Sequence, residues 1–212
     1  GGRALGALGR GKRAGAVPAR PPGEAAAMFR KFSTEAVNST SQVKSSVLRG
    51  MKASLLEQYP GLDEETLEAV LPKKGGSVTL AKCKETRASL LCLDGEPLFF
   101  QLRDSPLFPT LRLLHKYPGI MPRLRVDRGA IKFVLGGANI MCPGLTSPGA
   151  EMHDEVDEGE PVAIFAEGKE HCLAVGVTTM STQEIRDVNK DVGVELVHYL
   201  NDGLWKTPSV SG

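Results

Sequence analysis

The stretch that most limits what this chain can fold into runs from Val126 to Gly149, V-D-R-G-A-I-K-F-V-L-G-G-A-N-I-M-C-P-G-L-T-S-P-G. Val126 closes a strand, and Asp127 stands where a carboxylate can cap the free N–H groups of a helix's first turn. Ala130, Ile131, Val134 and Leu135 recur at helical spacing and give that helix one apolar side. Gly136-Gly137 stops it, because a helix C-terminus favours a residue that tolerates a left-handed backbone. Ala138 to Met141 reads as a short strand, and Cys142-Pro143-Gly144 as the turn out of it. Glycine also leaves backbone N–H groups open to a closely approaching phosphate or sugar. The plainer reading is that the glycines only end a helix and turn a barrel corner.

Before this stretch the pattern is mixed. Residues 39–59 predict a helix capped by Ser39, Thr40 or Ser41, with Val43, Val47, Met51, Leu55 and Tyr59 as its stripe and Leu48 and Leu56 widening it. Asp63 to Leu71 predicts a second, shorter helix with acids in its first turn. Strands follow at 77–80, 89–93 and 97–100, the last two joined by Asp94-Gly95, a pair suited to a tight hairpin turn. Pro109 to Tyr117 predicts a helix with proline in its first turn, with Arg112, His115 and Lys116 on a basic side. After residue 150, Glu151 to Glu160 is an acidic loop read as solvated, with cation binding as the other possibility. Strands are expected at 161–166, 170–180 and 192–200, and Ser181-Thr182-Gln183-Glu184 is a capping box opening a helix to Asn189. The fold class is α+β: an N-terminal α/β domain over 28–120 and a small closed β barrel over 121–201. Residues 1–27, rich in Gly, Ala, Arg and Pro, are expected to be a disordered extension, and 202–212 a tail, mobile from Thr207.

Charge is divided unevenly. Residues 28–122 carry thirteen Lys and Arg against ten acids, and residues 123–212 carry eight against fourteen. Any RNA contact must therefore rest on a local basic face. Cys83, Cys92, Cys142 and Cys172 are scattered without a C-x-x-C pair, so a structural metal site is not expected and the thiols read as small buried hydrophobes of a reducing compartment. No apolar run is long enough to span a membrane, and a cytoplasmic protein without cofactor is expected.

The run from Val126 to Gly144 resembles the signature of the PUA domain, a small RNA-binding module. With P-L-F-F-Q-L-R, F-P-T-L-R-L-L-H-K-Y-P, A-E-G-K and H-Y-L-N-D-G-L-W, the resemblance extends over about residues 28–206 to the malignant T-cell-amplified-sequence family. That resemblance implies a pre-PUA α/β domain packed on a PUA pseudo-barrel. It implies a non-catalytic factor that pairs with a density-regulated-protein-like partner. The pair would bind small ribosomal subunit RNA, act in reinitiation and recycling, and meet the acceptor end of a tRNA. RNA would lie along the groove of helix, glycine turn and following strand.

Carried onto this chain, the candidate RNA-binding residues are Arg123, Arg125, Arg128, Lys132, Gly136, Gly137, Ala138, Asn139, Met141, Pro143 and Gly144. RNA binding needs cations for phosphates and donors or surfaces for shape; with aromatic residues at 5%, extensive base stacking is not expected. Lys44, Arg49, Lys52, Lys73, Lys74, Arg112 and Lys116 are candidate ribosome contacts, and Ser147, followed by Pro148, a candidate phosphorylation site. Two other readings stay open. One is a subunit or remnant of an RNA-modifying enzyme, although Ser147, His153 and Asp154 have nothing to orient them as a triad. The other is a protein-interaction adaptor that touches no RNA.

Overall fold

The computed structural model describes residues 28–73, 75–84, 86–103 and 105–210. The expected disordered extension at 1–27 and the Lys74 contact lie outside these residues. The fold is α+β, built on a five-stranded antiparallel sheet and a six-stranded sheet curled into a pseudo-barrel.

The first sheet runs in chain order: β1 (Val37–Gln42), β2 (Val78–Cys83), β3 (Ser89–Leu93), β4 (Glu96–Gln101) and β5 (Leu107–Pro109). Asp94 and Gly95 both take positive φ, 49° and 86°, as the β3–β4 hairpin turn requires. Three helices accompany it: α1 (Ser45–Gln58), α2 (Glu64–Val70) and α3 (Leu111–Lys116). Asp63 caps α2 through Thr66 N at 2.7 Å.

Three expectations fail here. Residues 37–42 form an edge strand paired with β2, Ser39 against Lys82 and Ser41 against Leu80, so the helix begins only at Ser45. Its buried line also differs from the stripe read at every fourth residue. A strict four-residue repeat drifts about 40° per step around a helix of 3.6 residues per turn. Leu55 and Tyr59 are therefore buried while Val47 has rotated out to 49% exposure. Pro109 ends β5 instead of opening α3, whose cap is the Thr110 hydroxyl, accepting from Leu113 N.

The second sheet has the order β7 (Ile140–Met141), β11 (Val192–Tyr199), β10 (Ala174–Thr178), β9 (Pro161–Ala166), β6 (Arg123–Val126) and β8 (Glu151–Met152). All pairs are antiparallel except β6 with β9. The strand expected over 170–180 is thus shorter, because residues 169–173 form the β9–β10 connection. Cys142-Pro143-Gly144 is not a simple turn: α5 (Pro143–Thr146) follows Cys142, with proline in its first turn. It packs against β6, β7 and β8, so it spans the gap between the two edges of the curled sheet. Before it lies α4 (Ile131–Leu135); after β10 comes α6 (Thr182–Val188), opened by the expected capping box of Ser181 and Glu184.

The two sheets share apolar packing. Phe165, Val175, Val177 and Val197 join the cluster that holds Phe99, Phe100, Leu111 and Leu113. The last helix, α7 (Gly203–Lys206), is capped by Asp202, whose carboxylate also accepts from buried His198 Nδ1 at 2.6 Å. The tail is not loose at Thr207. Thr207 and Val210 are buried, and Val210 N donates to Gly95 O, which ties the chain's end to the β3–β4 turn.

Candidate nucleic-acid interface

The signature folds as its residue types dictate. Asp127 Oδ1 accepts from Ala130 N at 3.1 Å and opens the turn that becomes α4. At the other end Gly136 stays helical (φ −85°), and Gly137 alone crosses to positive φ (79°). The backbone donors of this turn are all used internally. Gly136 N donates to Lys132 O and Phe133 O, Gly137 N to Val134 O, and Ala138 N to Phe133 O, at 2.9–3.1 Å. The glycine turn therefore offers no free N–H for a phosphate. This corrects the expectation that the glycines leave their N–H groups open to a phosphate; closing the end of a short helix uses them.

Gly137 owes its identity to close approach within the protein. A Cβ there would lie 2.7 Å from Tyr199 Cζ and 2.8 Å from its hydroxyl. Asn139 is structural too: its Oδ1 accepts from Leu196 N at 3.0 Å, just beyond the Ile140–Val194 pair of β7 and β11. Gly144 lies against the α4 turn, with room for a Cβ in ordinary contact with Ala130 Cβ at 3.4 Å, and its carbonyl accepts from Asp127 N. What the turn presents to solvent is Lys132, Phe133 at 57% exposure, Ala138, Met141 at 48% and Pro143. Lys132 Nζ lies 4.9 Å from the Phe133 ring centroid, so a cation and an exposed aromatic face sit side by side.

The other cations differ in their freedom. Arg125 donates to Glu151 Oε2 at 2.5 Å and to Gly149 O, so part of its charge is answered within the protein. Arg123 is exposed, 6.0 Å from the Phe165 ring, and its backbone N–H donates to Asp154. Arg128 is exposed beside Gly168, with its N–H on Glu167. Arg123 and Arg125 stand on β6 near the β8 edge, whereas Lys132, Phe133 and Met141 belong to the β7 side; α5 lies between.

One cation escaped the sequence reading. Arg30, in the helical turn at residues 28–30, donates from Nη2 to Gly136 O at 3.2 Å across a separation of 106 residues. Phe29 and Phe32 on either side of it are buried, and nothing local in the sequence signals the docking.

The N-terminal candidates divide likewise. Lys44 and Arg49 are exposed. Lys52 lies on the inner side of α1, paired with Glu68 at 2.8 Å, and Lys73 reaches the same carboxylate at 3.7 Å. Lys116 pairs with Glu96 at 3.0 Å. Arg112 is held at the seam: it donates to Trp205 O and lies 4.7 Å over the Trp205 ring. His115, read as exposed or capping, is half-buried there, its Nε2 2.9 Å from Cys172 O.

The acidic loop is an internal counter-charge. Glu151 answers Arg125, Glu155 pairs with Arg186 at 2.7 Å, and Asp154 accepts from Arg123 N. No cluster of three or more metal-ligating side chains occurs among the described residues. Ser147, His153 and Asp154 have separate partners, in Pro143 O, Glu151 and Arg123 N. All four cysteines are buried, and desolvation pushes the Cys92 and Cys172 thiols to about 12. No described helix is long and apolar enough to cross a membrane.

Comparison with known proteins agrees with this architecture. Residues 32–118 match the Pre-PUA-like domain family and residues 122–200 the PUA domain family. The chain is 54% identical over 184 residues to the malignant T-cell-amplified sequence 1 homolog of Drosophila melanogaster, covering 86% of this chain and 100% of that one. It is 53% identical over 179 residues to human malignant T-cell-amplified sequence 2, covering 84% and 97%. Among solved structures, a hypothetical protein from Pyrococcus horikoshii superposes with a TM-score of 0.65 at 24% identity, over 81% of this chain and 100% of that one. A PUA domain protein from Aeropyrum pernix gives 0.61 at 22% identity, over 79% and 89%.

Proposed function

This chain belongs to the malignant T-cell-amplified sequence family, and from that premise we propose that it is a non-catalytic RNA-binding factor of translation. It works in the cytoplasm with a density-regulated-protein-like partner on the small ribosomal subunit. There it serves non-canonical initiation, reinitiation and the release of tRNA during recycling, with its PUA domain at the acceptor end of the tRNA. The observation that carries the RNA-binding part is the outward face of α4. Lys132 and Phe133 are exposed there side by side, and Arg128 is exposed in the turn that precedes the helix. Cations attract the phosphate backbone, and an open ring offers one stacking surface without a base-specific code.

The test is binding of a labelled tRNA acceptor-stem hairpin, followed by fluorescence anisotropy over a salt titration. Lys132→Glu with Arg128→Glu should weaken binding by tenfold or more while circular dichroism stays unchanged, each lost phosphate contact flattening the salt slope by about one. Unaltered affinity and slope would refute the assignment of RNA to this face. A pull-down from cell extract tests the rest: small-subunit proteins and a second initiation-like factor should be retained, and their absence would count against the translational reading.

A further inference from the structure

The cations expected at the glycine turn are fewer than the sequence suggests, since Arg125 is held by Glu151. Arg30 fills that deficit from outside the PUA domain. Its guanidinium is tied by one hydrogen bond to Gly136 O, at the C-terminal end of α4, and Gly136 N in turn bonds Lys132 O one helical turn back. Arg30 and Lys132 therefore stand within one turn of the same short helix, next to exposed Phe133. Among the described residues Arg30 is exposed and has no carboxylate partner. A carbonyl tether orients a guanidinium without cancelling its charge, and the planar fork keeps other N–H donors for a bidentate phosphate.

The tether rests on a firm base. Phe29 is fully buried, edge-on to Phe100 of the first sheet at 5.1 Å and to His198 of the second at 6.2 Å. Phe32 is 6% exposed. Gly203 has no room for a side chain, because a Cβ there would come within 2.3–2.6 Å of backbone atoms of Phe32 and Phe29. The N-terminal turn is thus clamped between the two sheets, and it delivers Arg30 to the α4 face as a fixed group.

We infer that Arg30 is a phosphate-contacting residue of the RNA-binding face, which is therefore a composite of the N-terminal turn and the PUA domain. The inference rests on the RNA-binding reading above. It is tested with the full chain and the same acceptor-stem hairpin, comparing Arg30→Gln, Arg30→Lys and Lys132→Gln by salt-titrated anisotropy and thermal melting. Arg30→Gln should flatten the salt slope by about one with the melting temperature nearly unchanged, and Arg30→Lys should keep the slope. A lower melting temperature with an unchanged slope would make Arg30 only a clamp on Gly136 and overturn the inference, as would equal losses for Gln and Lys. If Lys132→Gln flattens the slope and Arg30→Gln does not, the inference fails while the RNA-binding reading stands. If neither does, both fall.

Discussion

Gly137→Ala is the substitution whose outcome the geometry determines most directly. Two penalties add. The residue holds φ at 79°, a left-handed conformation that costs a residue with a Cβ about 1–2 kcal/mol. The new methyl would also stand 2.7 Å from Tyr199 Cζ, and Tyr199 is 4% exposed within the barrel's core. Moving a packed ring of this kind costs about 1–3 kcal/mol. The sum, about 2–5 kcal/mol, is a large share of the roughly 5–15 kcal/mol that holds an ordinary domain together. For a chain of this size it corresponds to a fall in melting temperature of roughly 4–20 °C. Differential scanning calorimetry, with urea unfolding for the midpoint, measures it. Tyr199→Leu in the same chain should give a double-mutant loss smaller than the sum of the singles, because the clash needs both partners. An unchanged melting temperature accompanied by lost RNA binding would refute the reasoning. It would return Gly137 to the role of a surface that touches the ligand.

Gly203→Ala should lift the turn at residues 28–32 off its seat, since the blocking atoms are backbone and cannot rotate away; limited chymotrypsin digestion should cut faster at Phe29 and Phe32, and unaltered cutting would contradict the clamp. Acid should weaken the seam at α3. Burial, above all, holds His115 below its usual range, against the opposing bond to Cys172 O, with the charges of His171, Arg112 and His198 acting in the same direction as burial. The unfolded chain therefore takes up that proton first. The contribution is fully present above about pH 6.5 and is lost as pH falls toward the lower folded value. Urea midpoints should drop as pH falls below about 6.5, and His115→Gln should flatten that part of the profile; an identical profile would place the titration elsewhere.

How far the sequence could be followed depended on the reach of each interaction. The capping box at Ser181 and Glu184, the Asp94-Gly95 hairpin and the Asp63 cap are settled within a few residues, and each appears where local chemistry puts it. The two-domain α+β architecture was legible through the long run at 126–149 and its resemblance. What the sequence concealed is what distant partners decide. Ser39 to Ser41 look like helix caps until β2 takes them as an edge strand. Arg125 looks like a free cation until Glu151, 26 residues on, pairs with it. The N–H groups of Gly136 and Gly137 look available until the last turn of α4 consumes them. Arg30 carries no local mark at all, because its placement depends on two buried phenylalanines and a glycine near the other end of the described chain.

The apolar cluster that crosses from one sheet to the other has a mechanical consequence. Phe165, Val175, Val177 and Val197 are as much a part of the first sheet's interior as of the second's. A hinge between the halves would have to tear that interior open, so the chain works as a caliper with its jaws set. The span from the α4 face to Lys44 and Arg49 on α1 is therefore a built-in dimension, one that no opening or closing of the halves can adjust.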